Sequence, residues 1–237
     1  MAQGCHAGDP FRTGARSVLG VTDHTTGIRR VHDAHTALLA HLDAMTGTDA
    51  ADPSVPSLLP GWTRGHVLAH IAGNARSFLR QLEGAESGHP AERYPGGDAF
   101  RDDEIEHGAG RPWAELVADV RTSADDLDAA LGRHLRWDVP GINTDGSELP
   151  THEVPFRRLR ETVVHHADLG DPGFTAADWP AEYVRDELRR QEMTWNARRP
   201  MGATGLPEAA LKASPVQRLQ WLLGRAEIEG LGPANVF

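Results

Sequence analysis

The stretch Phe156–Gly170, FRRLRETVVHHADLG, constrains this chain more than any other, because it joins a helical apolar pattern to polar groups at a ligand spacing. At about 100° per residue, Phe156, Leu159, Val163 and Ala167 fall on one side of a helix and need a core to cover them. Glu161 and His165, four residues apart, leave the helix from one adjacent face, and Asp168 follows three positions on in the same row. A carboxylate and an imidazole therefore converge. That spacing serves a divalent cation with two ligands, and it serves a plain hydrogen-bonded pair equally well.

A further ligand has to come from elsewhere, and the segment LPGWTRGHVLAHIAGNA (residues 59–75) offers one. Thr63 is a natural N-cap behind the Pro60-Gly61 turn, and His66 and His70 form an i, i+4 pair on the helix it opens. His66, in the first turn, reads as a local cap or hydrogen-bond partner. His70, a turn deeper, is the better candidate of the two.

The segments GWTRGHVLAHIAGNA and RLRETVVHHADLG resemble, in this order, the two signature segments of the mycothiol-dependent maleylpyruvate isomerase family, part of the wider DinB-like group of metal-binding helical bundles. DDEIEHGAGRPWAELVADV between them and WLLGR at 221–225 share the resemblance, which spans roughly residues 21–226. It implies a mainly α fold: a DinB-like four-helix bundle over residues 21–170 and a small C-terminal α/β domain over 171–237. Residues 1–20 read as a flexible extension.

Position by position, the resemblance puts the metal ligands on His70, Glu161 and His165, with zinc as the expected ion and mycothiol as thiol cosubstrate. Two imidazoles and one carboxylate leave a coordination position open, the mark of a catalytic rather than a closed structural site. The implied activity is an enzyme's: metal-activated thiolate adds to the cis double bond of maleylpyruvate, the resulting single bond rotates, and the thiolate leaves to give fumarylpyruvate. Arg225 is the residue expected to act in substrate or cofactor binding, ahead of Arg157 and Arg160. Two other readings share these ligands. One is a thiol S-transferase acting on a different electrophile; the other is a non-catalytic metal-binding module, favoured if Asp168 or His166 filled the open position. His166, turned about 100° from His165, should face the core side instead.

Composition narrows the classes further. A hydrophobic share of 39%, a charged share of 24% and no apolar run near the ~18 residues of a membrane span describe a soluble globular chain. A formal net charge of -10 argues against nucleic acid as a partner and means that an anionic substrate must meet local arginines. Cys5 is the only cysteine, so there is neither an intrachain disulfide nor a cysteine-based zinc site, and the protein reads as cytoplasmic. The first twenty residues lack the ~7-residue apolar core of a secretory signal. No P-loop, no GxSxG and no internal repeat is present. The expected partners are a small anionic substrate and a low-molecular-weight thiol, in a monomer or weak homodimer.

Periodicity predicts helices over residues 22–46, from Trp62 to about Gly84, over 98–131 in two pieces broken near Gly108–Pro112, and over the opening stretch. A hairpin or extended crossover fills 135–154 around Asn143–Gly146. Further helices are expected over 179–195 and 215–225. His32, His35 and His41 read as a solvated face, and Arg76 and Arg80 as partners of surface acids.

Overall fold

A computed structural model describes residues 24–198 and 205–234. The expected extension over residues 1–20, with Cys5, lies outside the described residues. The elements run α1 (His24–Met45), α2 (Arg64–Glu86), α3 (Gly97–Ala109), α4 (Trp113–Arg133), β1 (Pro140–Ile142), β2 (Glu148–Pro150), α5 (Val154–Asp168), α6 (Ala181–Ala197), α7 (Glu208–Lys212) and α8 (Pro215–Leu222). The mainly α, DinB-like fold is as the sequence led us to expect. Among the described residues the only sheet is the β1-β2 hairpin, which lies before α5, and the described part after residue 170 is helical.

Helices α1, α2, α4 and α5 form the bundle, with α1 and α2 each packed on both α4 and α5. The stretch expected as one helix in two pieces is two separate helices. Pro112 cannot continue a helix across the break, and α3 packs on α2 outside the bundle while α4 enters it. The register of the hairpin pairs Gly141 with Leu149, and its turn uses Gly146 at φ 79°, a conformation costly for any residue with a Cβ. At the other end, the loop before α2 docks on the end of α5. Leu58 N–H donates to Asp168 O at 2.9 Å, and the buried Arg64 donates to Leu169 O at 3.0 Å, satisfying carbonyls that a helix end leaves unpaired.

Apolar burial divides into two clusters. One gathers Leu38, Leu42, Leu68, Ile71, Leu116 and Val120; the other gathers Val31, Phe78, Leu127, Leu159 and Val163 with Tyr183, Leu219 and Trp221 of the C-terminal helices. A polar layer lies between them on α1 and α2. Arg158 of α5, fully buried, donates to His35 Nε2 (2.9 Å), Ile71 O (2.9 Å) and Asn74 Oδ1 (3.0 Å), and His35 Nδ1 donates in turn to Asp128 of α4 at 2.9 Å. One guanidinium thus ties all four bundle helices together. Burial drags its pKa down to about 10, against the pull of Glu161 and Asp128. Of the three histidines expected on a solvated face, only His32 is exposed; His35 is buried in this layer and His41 is held by His166 and Asp171.

The layer generates two expectations. Replacing Arg158 by Ala leaves three buried acceptors without a donor and should cost about 3 kcal/mol in urea unfolding. Burial, aided by Arg158 and opposed by Asp128, holds the His35 pKa below 6.5 in the fold. The unfolded chain then takes up the proton first, so the contribution of His35 to stability is level above pH 6.5 and is lost as the pH drops below it. His35→Gln should remove that loss, which reads as a wild-type-minus-variant difference in urea midpoint that shrinks from pH 8 to pH 5.

Candidate metal centre

The α2 helix starts where Thr63 leaves helical geometry, and His66 closes that start locally. Its Nδ1 accepts from Thr63 N–H at 3.1 Å and lies 2.8 Å from the Thr63 hydroxyl, which is the capping role expected of it. One turn further, His70 faces α5. The Nε2 atoms of His70 and His165 both point at Glu161 Oε2, at 3.0 and 3.4 Å, and ligand atoms of all three residues lie within 4.8 Å of one another. Trp62 lies against the His70 ring, with centroids 5.5 Å apart. The side chains of His70, His165 and Glu161 keep 11%, 13% and 24% of their exposure, so one face of the cluster stays open to solvent.

The charges in this cluster are set by geometry. Burial pushes the Glu161 carboxyl up, but hydrogen bonds from His165 and His70 outweigh it and hold its pKa well below the usual carboxylate value. Burial likewise disfavours a charged His165, yet bonds to Asp168 and Glu161 lift its pKa to about 9. His70 goes the other way: burial and the neighbouring His165 cation lower it despite Glu161. The protein alone therefore carries a carboxylate, an imidazolium and a neutral imidazole here.

Behind His165 stands a second layer. Asp168, 2% exposed, accepts from His165 Nδ1 at 2.9 Å and from Arg225 through Nε (3.2 Å) and Nη2 (3.0 Å), while Arg225 Nη1 donates to Leu223 O at 2.9 Å. Burial raises the Asp168 pKa, and His165 and Arg225 more than reverse it. A carboxylate on the far nitrogen of a ligating histidine fixes its tautomer and ring plane. Two imidazole nitrogens and a carboxylate oxygen with that backing are a donor set fit for a divalent ion such as zinc.

Asp168 does not fill the open face, and neither does His166. The His166 ring stacks flat on Phe174 with centroids 3.6 Å apart, and its Nε2 lies 2.8 Å from His41 Nδ1. Arg225 stands behind the cluster on Asp168. Arg157 pairs with Glu153 at 3.0 Å and Arg160 with the buried Glu187 at 2.7 Å. Sequence reasoning placed Asp168 on the right row but not in its role, which an i, i+3 pairing with His165 could have signalled. Nothing local foretold the Arg225–Asp168 pair, which joins residues 57 positions apart.

In metal-free protein the His165 imidazole should stay protonated to about pH 9, and Asp168→Asn should lower that value. An imidazole NMR titration reads both. A His165 pKa unchanged by the substitution would contradict the assignment of Asp168.

The family model described as Mycothiol maleylpyruvate isomerase N-terminal domain matches residues 29–170. A crystal structure of the mycothiol-dependent maleylpyruvate isomerase shares the fold, with a TM-score of 0.71 at 23% identity over 88% of this chain and 90% of that one. A histidine-to-alanine mutant of that enzyme gives a TM-score of 0.70 at the same 23% identity and the same 88% and 90% coverage. No curated protein matches the chain in sequence.

Proposed function

This chain belongs to the mycothiol maleylpyruvate isomerase family, and from that premise we propose that it is a mycothiol-dependent cis-trans isomerase converting maleylpyruvate to fumarylpyruvate. The observation that carries the reading is the meeting of two imidazole Nε2 atoms at one Glu161 oxygen, on a face still open to solvent. His70, Glu161 and His165 would hold the ion, zinc by the character of the donor set. When bound, it supplies a Lewis acid that keeps a thiol ionised near neutral pH.

The chemistry balances without any external reductant or oxidant. A thiolate sulfur adds to one carbon of the cis double bond, and the electron pair moves onto the conjugated carbonyl as an enolate. The new single bond rotates, the pair returns, and the thiolate departs from the trans product. Asp168 holds the Nδ1 proton of His165, leaving Nε2 as its ligating nitrogen. Arg225 keeps Asp168 ionised and in place. Its guanidinium uses three of five N–H donors on Asp168 and Leu223, and its side chain is 23% exposed, so two donors remain for an anionic ligand.

We divide the chain into a metal-binding bundle over residues 21–170 and a C-terminal domain over 171–237, the latter contributing Arg225. The setting is taken as cytoplasmic and the state as a monomer or weak homodimer; no helix among the described residues is long and apolar enough to cross a membrane. An open face unfilled by Asp168 or His166 favours an enzyme over a closed metal-binding module.

His70→Ala and His165→Ala should each lose bound zinc, by metal analysis of the purified protein. Incubation with maleylpyruvate should give the trans product only when mycothiol and metal are both present. Thioether accumulating without isomerisation would replace the isomerase by a thiol transferase, and no reaction with any low-molecular-weight thiol would remove both.

A further inference from the structure

Most arginines near the metal cluster are committed to acids: Arg225 to Asp168, Arg160 to Glu187, Arg157 to Glu153 and Arg101 to Asp102. Arg93 is not. Among the described residues no carboxylate pairs with it, its Nε is buried without a hydrogen-bond partner, and its Nη2 reaches only Ser77 Oγ, at 3.4 Å. The guanidinium carbon lies 4.4 Å from the Phe78 ring centroid and 5.6 Å from that of Tyr94.

Its backbone is held from both sides. Ile142 N–H donates to Ala91 O and Arg93 N–H to Ile142 O, both at 3.0 Å, while Arg80 Nε donates to Arg93 O at 2.9 Å. A half-buried cation has therefore been fixed in place without an anion.

Its position explains what the anion is for. Ser77 follows His70 by seven residues, so it lies on the same face of α2 and roughly 10 Å further along the axis. The α2 and α5 helices run antiparallel, since Arg64 meets Leu169, His70 meets Glu161 and Asn74 meets Arg158. Arg93 thus stands beyond the cluster toward the N-terminal end of α5, and Arg225 stands beyond it toward the C-terminal end. The same neighbourhood shows in Tyr94, whose hydroxyl pKa is raised by burial, lowered by Arg93 and raised again by the Glu161 carboxylate.

We propose that Arg93 is the anchor for one carboxylate of a dicarboxylate substrate, whose reacting carbon chain runs from there to the metal cluster. This rests on the proposed isomerase reading, and it names the feature that selects a dicarboxylate over a monocarboxylate. A chain of six carbon-carbon bonds spans roughly 7 Å, commensurate with the roughly 10 Å along α2 that separates Ser77 from His70.

The test uses the full-length, zinc-loaded protein and titrates heptanedioate, whose carboxylates are six carbon-carbon bonds apart, and its monocarboxylate counterpart heptanoate by calorimetry. Wild type should bind heptanedioate more tightly than heptanoate. Arg93→Met, which keeps the contact with both rings, and Arg93→Gln, which keeps a donor for Ser77, should each weaken heptanedioate by on the order of tenfold to a hundredfold and abolish the preference. Zinc content and the KM for mycothiol should not move. Unaltered heptanedioate binding in the variants overturns the inference, as does a rise in the mycothiol KM in place of weaker heptanedioate binding, which would put Arg93 on the thiol. If either variant loses helical structure the other decides, and if both do, a wild type that does not distinguish heptanedioate from heptanoate overturns it. Arg93-dependent heptanedioate binding without isomerisation of maleylpyruvate would sink the proposed reaction and leave the anchor standing.

Discussion

A guanidinium taken wholly out of water needs acceptors, and Arg158 finds them for Nε and Nη1 on both neighbouring helices, with Nη2 left buried and unpartnered. That requirement sets the register of α5 against α1 and α2, because a shift of one residue would strip a buried cation of these acceptors as well, at a cost of several kcal/mol. Glu161 lies almost one turn beyond Arg158, and His165 one turn beyond that. The clamp therefore decides which residue of α2 faces them, and that residue is His70.

Along this row the charges alternate: Glu161 negative, His165 positive, Asp168 negative, Arg225 positive. Glu161, His165 and Asp168 are each held charged by their neighbours against the pull of burial, as the directions of their pKa values show. A proton on His165 Nε2 occupies the place where a divalent ion would exert its charge. Exchange of that proton for a metal keeps the alternation intact, with Asp168 and Arg225 unchanged behind it.

Much of this was legible in the sequence because it is helical and local. The 3.6-residue period located the bundle helices, and the i, i+4 spacing put Glu161 and His165 side by side. His66 as a cap and His166 as a residue facing away followed from position in a turn and angle around a helix. What escaped is long-range. The Arg158 layer joins residues from four helices, and the burial of His35 depends on which face of α1 meets α4 and α5, which period alone does not reveal. Arg225 was picked out by resemblance, but its grip on Asp168 requires knowing that the end of α8 folds back onto the end of α5. Arg93 sits in a loop whose backbone pairs with β1, and no local pattern announces that contact.

In the proposed function His70, Glu161 and His165 form one open metal site that takes a thiol. X-ray absorption at the zinc edge reads that site, on zinc-loaded protein before and after addition of mycothiol. The expected spectrum shows a light-atom shell of nitrogen and oxygen alone at first, and a single sulfur scatterer at about 2.3 Å once the thiol is present. A spectrum that mycothiol leaves unchanged would contradict it.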